Sequence, residues 1–146
     1  MNNKLRSKTR LAAIQLVSQH LINYEDIESI KEDFNKYYRN TIIDEDSEKI
    51  EYNLNFLSKL ISYFKTTDFK NLSKEINSKI KFDRKFEKWD NIIQAIILIS
   101  ISEIRNSSKE KIKIILNDYI EISKSFVNIN ETKLINSILD KLINEK

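Results

Sequence analysis

The chain has 146 residues, 40% of them apolar and 32% charged, with a net charge of +3. That is enough for one domain with a buried core. It contains no cysteine, glycine or proline and a single histidine, His20. This excludes disulfides, thiolate metal sites, cysteine nucleophiles, histidine clusters and every glycine-rich loop that lets backbone approach a phosphate.

In chain order the apolar pattern is helical throughout, and no alternating strand pattern survives. The first segment, RSKTRLAAIQLVSQHL at 6–21, carries Ile14, Val17 and Leu21 on one stripe. The second, about 26–38, has Ile27, Ile30, Phe34 and Tyr37. The third, about 45–65, runs Ile50, Leu54, Leu57, Ile61 and Phe64. The fourth, about 68–81, has Phe69, Leu72, Ile76 and Ile80, with Thr67 or Asp68 as its cap. The fifth, about 87–104, is apolar nearly all round, from Trp89 to Ile99, and belongs inside a bundle. The sixth, about 109–126, has Ile112, Ile115, Tyr119, Ile122 and Phe126, and Ser107 with Glu110 forms a capping box before it. The seventh, about 130–144, has Leu134, Ile135, Ile138, Leu139 and Leu142 behind a cap at Asn128 or Asn130. The expectation is an all-α fold of about seven helices in two packed sub-bundles. The longest apolar run, IIQAIILISI at 92–101, is about half of the ~20 residues a membrane span needs. With no secretion signal in view, the expectation is no membrane partner and a cytoplasmic location.

Charge is unevenly spread. Residues 1–22 carry four cations and no acid; residues 23–57 carry ten acids against four cations; residues 58–146 carry 17 cations against 12 acids. The acids Asp44, Glu45, Asp46, Glu48 and Glu51 fit no calcium loop. They read as a solvated turn and a favourable acidic first turn of the third helix. His20 lies beside an apolar stripe and reads as a packing residue. Nothing resembles a nucleophile or an acid–base pair, so no enzyme is expected and no cofactor is called for.

The first helix, by contrast, begins with Lys4, Arg6, Lys8 and Arg10. Cations oppose the partial positive charge of a helix N-terminus. Arg6 and Arg10 extend the line of the apolar stripe, with Lys4 and Lys8 on the other side. Two readings stay open: a solvated basic terminus, or an end whose cations and free N–H groups face a polyanion.

Three stretches carry a resemblance. At 116–142, LNDYIEISKSFVNINETKLINSILDKL, the residues Asn117, Asp118, Lys124, Phe126, Lys133, Leu134, Asn136, Leu139, Asp140 and Lys141 resemble the end of the NusB family of bacterial transcription antitermination factors. Arg6, Ser7, Arg10, Leu11, Ala12, Ala13 and Gln15 resemble that family's basic first helix, and Gln94–Glu103 its buried Arg-Ala-Ile-Leu helix. The matches fall in the family's order and span nearly the whole chain. The resemblance implies one NusB-like helical domain over 1–146, with sub-bundles of about 1–66 and about 67–146. It implies a non-enzymatic RNA-binding factor that takes boxA-type leader RNA together with the small-subunit ribosomal protein NusE, within the RNA polymerase antitermination complex. The RNA-contacting positions carried over are Lys4, Arg6, Lys8, Arg10, Asn128, Asn130, Lys133 and Asn136. Departures from the family pattern are Val17 and Leu134, where members often carry aromatic residues, and Leu98, where the buried motif has arginine. Two rival readings follow from these: a NusE-binding module that has lost RNA binding, and a stand-alone relative of the helical domains fused to RNA cytosine methyltransferases. Phe126, Ile135 and Ile138 are expected in the core, and Asn117 and Asn136 are expected to tie helix ends together.

Overall fold

A computed structural model describes residues 1–42, 48–81 and 83–144. Among the described residues all regular structure is helical. Seven α-helices follow one another: α1 (Asn3–Asn23), α2 (Ile27–Asp33), α3 (Leu54–Lys65), α4 (Phe69–Lys79), α5 (Asn91–Arg105), α6 (Ile112–Ser123) and α7 (Ile129–Asn144). No helix is long and apolar enough to cross a membrane, among the described residues.

The near-continuous apolar run of α5 becomes the axis of the molecule. Every residue from Ile93 to Ile104 is buried, and α5 packs against α1, α3, α6 and α7. Each fully buried isoleucine there stabilises the fold by about 1.5–3 kcal/mol relative to exposure. Three buried polar side chains of this helix are satisfied nearby in the chain. Ser100 and Ser102 donate to the carbonyls of Ile96 and Leu98, and the Gln94 amide donates to the Phe86 carbonyl at 2.8 Å. One continuous core joins Leu57, Leu60 and Ile61 of α3 to Ile135, Ile138 and Leu139 of α7. The expected sub-bundle boundary at 66/67 falls in the turn between α3 and α4.

Starts and stops follow the capping chemistry. Asn2, Asp26, Asn53 and Asp68 each accept a hydrogen bond from a first-turn backbone N–H of the helix that follows. Asn128 caps α7 in a reciprocal box: its Oδ1 accepts from Glu131 N at 2.8 Å, and its own N–H donates to Glu131 Oε1 at 3.0 Å.

Three boundaries differ from the sequence expectation. The third helix begins at Leu54 rather than near 45. Backbone bonds from Asn40 N to Ile50 O (2.7 Å) and from Ile50 N to Thr41 O (2.8 Å) hold the preceding chain outside the helix. Buried Tyr52 is tied there too, its hydroxyl donating to Asn35 at 2.8 Å. Asp44, Glu45 and Asp46 lie outside the described residues; Glu48 and Glu51 lie ahead of the helix, not in its first turn. The fifth helix starts at Asn91, because Phe86–Lys88 forms a 3₁₀ turn and Trp89 and Asp90 are extended. The sixth starts at Ile112 behind a 3₁₀ turn at Lys109–Lys111, and Ser107 donates back to Ile104 O at 2.9 Å instead of capping forward. The second helix runs past Asp33 as a π-helical turn, Phe34–Tyr38, closed by Arg39 N bonding to Phe34 O at 2.9 Å.

Candidate functional site

The four cations of α1 separate into two groups. Lys4 and Lys8 turn toward the segment before α3, with Lys8 Nζ 3.2 Å and Lys4 Nζ 3.9 Å from Glu48. Lys8's hydrogen bond, and then the charges of Lys4 and Lys8, hold the Glu48 carboxyl below its ordinary value. The acid missing from the first turn of α1 is therefore supplied from elsewhere in the chain. Arg6 and Arg10 lie on the side facing α6.

Arg10 is 6% exposed, and each of its three guanidinium nitrogens donates a hydrogen bond. Nε and Nη2 donate to the two carboxylate oxygens of Glu103 on α5, at 2.9 and 2.7 Å, and Nη1 donates to Asp118 Oδ2 on α6 at 2.7 Å. The Tyr119 hydroxyl donates to Glu103 Oε1 and the Ser7 hydroxyl to Asp118 Oδ1, both at 2.6 Å. The guanidinium carbon lies 5.4 Å from the Phe56 ring centre and 5.5 Å from that of Tyr119. Burial works against the charge on Arg10. The hydrogen bond and charge of Glu103 outweigh it and raise its pKa above the ordinary arginine value. Burial, then the neighbouring Glu103, pushes the Tyr119 phenol well up. At neutral pH the arginine stays charged and the tyrosine stays protonated, so the cluster is a fixed clamp between α1, α5 and α6. Arg10, expected as an RNA contact, is bonded in the structure to Glu103 and Asp118 and holds α1 against α5 and α6.

The other nominated residues are exposed. Arg6 donates to Asn3 at 3.0 Å and has no acidic partner among the described residues. Asn128 is exposed but committed to the α7 cap. Asn130, Lys133 and Asn136 are exposed at helical spacing along the first turns of α7. The two nominated regions lie toward opposite ends of α5: Arg10 of α1 meets Glu103 near the end of that helix, whereas Glu131 and Leu134 of α7 lie beside Ile93 near its start, about 15 Å of helix away. The tip of α1 is bonded to Asp118 on α6, and α6 ends five residues later at Ser123, about 7.5 Å of helix further on. The turn into α7 follows directly.

The departures from the resembled pattern separate by depth. Val17 and Leu98 are fully buried and belong to the core. Leu134 is half-buried and lines a 310 Å³ cavity with Trp89, Ile93 and Glu131. Ile135 and Ile138 are fully buried as expected, but Phe126 is only half-buried. Asn117 and Asn136 are exposed and tie no helix ends, among the described residues. His20 stands edge-on to Phe64, ring centres 5.8 Å apart, and its Nδ1 meets the Glu25 carbonyl. Sequence reasoning missed Glu103 and its partner role. Its signal was available: a lone carboxylate in a helix buried all round calls for a buried cation.

A second concavity, about 790 Å³, lies between α1, α3 and the N-terminal and middle turns of α6. No group of three or more metal-ligating side chains occurs among the described residues.

Comparison with known proteins adds the following. The model of a family described as the NusB family matches residues 7–144. The transcription antitermination protein NusB of Rickettsia bellii is 30% identical, over 99% of this chain and 94% of that protein. Those of Rickettsia felis and Rickettsia massiliae are 28% and 27% identical, each over 99% of this chain and 96% of the relative.

Proposed function

We propose, because this chain belongs to the NusB family, that it serves transcription antitermination as a non-catalytic RNA-binding protein. Its RNA is a boxA-type leader element, its protein partner is NusE, and the pair works within the RNA polymerase antitermination complex in the cytoplasm. The RNA face comprises Lys4, Arg6 and Lys8 at the tip of α1, with Asn130, Lys133 and Asn136 on the first turns of α7. Asn128 shapes that face by starting α7, and Arg10 holds the tip in place from below.

One observation carries the reading: Arg6 projects from the start of α1 toward α6, with no acidic partner among the described residues. A cation beside unpaired helix N–H groups is unfavourable by itself, and a phosphate relieves both.

The test is a titration of boxA and scrambled RNA, with and without NusE, on the native chain and on a Lys4→Glu, Arg6→Glu, Lys133→Glu variant. These three side chains are exposed, so the helical circular dichroism spectrum should not change. Affinity of the native chain for boxA should fall steeply with salt, and the variant should bind at least roughly tenfold more weakly. Equal affinity of variant and native chain overturns the RNA face. Binding to NusE with no RNA affinity in any mixture leaves the protein-interaction reading in its place.

A further inference from the structure

The 790 Å³ concavity contains features that the RNA face above does not use. Its lining includes three acids, and each has protein partners. Glu103 and Asp118 receive Arg10, Tyr119 and Ser7, so that all four of their carboxylate oxygens accept a hydrogen bond. Glu121 pairs with Lys124 at 3.0 Å. Its exposed cations are in the opposite condition. Arg6 of α1, Lys59 of α3 and Lys111 just before α6 border the groove; none forms an ion pair among the described residues, although the neighbouring Glu110 carboxyl is held below its ordinary value by hydrogen bonds from its own backbone and Ser108 and by the Lys111 charge. Three exposed cations on three separate elements, none held in an ion pair among the described residues, therefore surround one concave surface whose acids are already occupied.

The walls between these cations combine aliphatic Ile114 and Ile115 with aromatic rings and side-chain amides. Tyr63 of α3 is half-buried in the lining, and exposed Asn117 of α6 adds an amide with both donor and acceptor. Asn106 also lines the groove, its amide nitrogen donating to the Ser102 carbonyl at 2.7 Å. The acceptor of Asn117 is of no use to a carboxylate or a phosphate, but it suits the N–H edge of a base. Cations for phosphates, a ring for stacking and amides for base edges are the components of a single-stranded nucleic-acid track.

We propose that this groove carries a stretch of single-stranded RNA beyond the tip of α1, with Lys59 and Lys111 on its phosphates and Tyr63 stacked on a base. The inference rests on the RNA-binding reading and extends it to residues outside the nominated face.

The experiment compares Lys59→Gln with Lys111→Gln in one chain, Tyr63→Ala, Tyr63→Phe, and the Lys4/Arg6/Lys133 reversal described above. Each is titrated with single-stranded boxA RNA over a range of salt. A Lys70→Gln, Lys74→Gln chain serves as the control, since both residues are on α4, outside the groove. Circular dichroism and thermal unfolding establish that each variant is folded. The groove double variant should bind roughly tenfold more weakly, and its log–log salt slope should flatten by about 1.4, at about 0.7 per lost phosphate contact on a single strand. Tyr63→Ala should weaken binding, and Tyr63→Phe should restore it, because the ring stacks and the hydroxyl does not. An unchanged slope in the groove variant, while the tip variant loses binding, overturns the track and leaves the RNA reading standing. Loss in neither overturns both. Lysine-dependent binding of polyglutamate with RNA affinity untouched overturns the track in favour of an acidic protein segment.

Discussion

Arg10 shows how far a single side chain's role depends on its surroundings. In the sequence it is one of four cations at a helix start, and its helical phase places it beside Arg6. In the fold it is buried between two carboxylates and two rings. Desolvating a guanidinium is costly, and only the bidentate pair with Glu103, closed by Asp118, makes it tolerable. Removing one partner strands the others. Arg10→Met should therefore destabilise the protein by about 3–5 kcal/mol, read as a fall in the urea midpoint. Adding Glu103→Met should recover part of that loss, because it removes the more deeply buried stranded carboxylate and leaves only Asp118, which keeps its bond from Ser7 and some exposure. The burial of Arg10 was not legible from its own neighbourhood in the sequence. Its partners stand 93 and 108 positions away, and only Glu103, anomalous in an apolar helix, hinted at the pairing.

At the scale of elements, the absence of glycine has a visible consequence. α1 ends at Tyr24, which takes the left-handed conformation (φ 58°) and returns its N–H to His20 O at 2.9 Å. Glycine usually fills this position because it has no Cβ to clash. Tyr24 is 91% exposed, so its ring contributes little packing in return. Tyr24→Gly should raise stability by about 1 kcal/mol, the strain of a left-handed non-glycine residue, and shift the melting temperature up by roughly 2–4 °C. A calorimetric scan checks this. Helix positions were legible from periodicity where the stripe is long, as in α5, α6 and α7. The start of α3 was not. Ile50 fits the apolar stripe of that helix, yet its backbone pairs with Asn40 and Thr41 instead. A buried face can be shared by a helix and the chain leading into it, and periodicity cannot distinguish the two.

For the molecule as a whole, ion pairs at the helix ends link neighbouring elements. Glu75 of α4 receives Arg105 at the end of α5 at 3.0 Å and Lys79 at 3.1 Å. Glu28 of α2 receives Lys31 at 2.8 Å and Lys65 at the end of α3 at 3.2 Å. Partial burial works against the Glu75 carboxylate, but Arg105 and Lys79 outweigh it and hold its pKa below the ordinary 4.5. The Lys31 hydrogen bond does the same for Glu28. A carboxylate depressed in the folded state adds stability that is complete above its unfolded value and lost as the pH falls through its folded one. Urea midpoints should therefore be level above the ordinary carboxylate range and decline on acidification below 4.5. A Glu28→Gln, Glu75→Gln chain should start lower at neutral pH and decline less steeply.

By itself the sequence determined the all-α class, the burial of α5, most helix ends and the family, because periodicity, capping residues and motif spacing are local properties of the chain. The tertiary structure alone decided which cation is buried and which stay at the surface. Arg10 is consumed by acids brought to it from α5 and α6, Lys4 and Lys8 meet Glu48, and Arg6 is left beside Lys59 and Lys111 around one groove. The physical reason is that a charge's availability depends on what desolvates and pairs it, and those partners come from elements far apart in the chain.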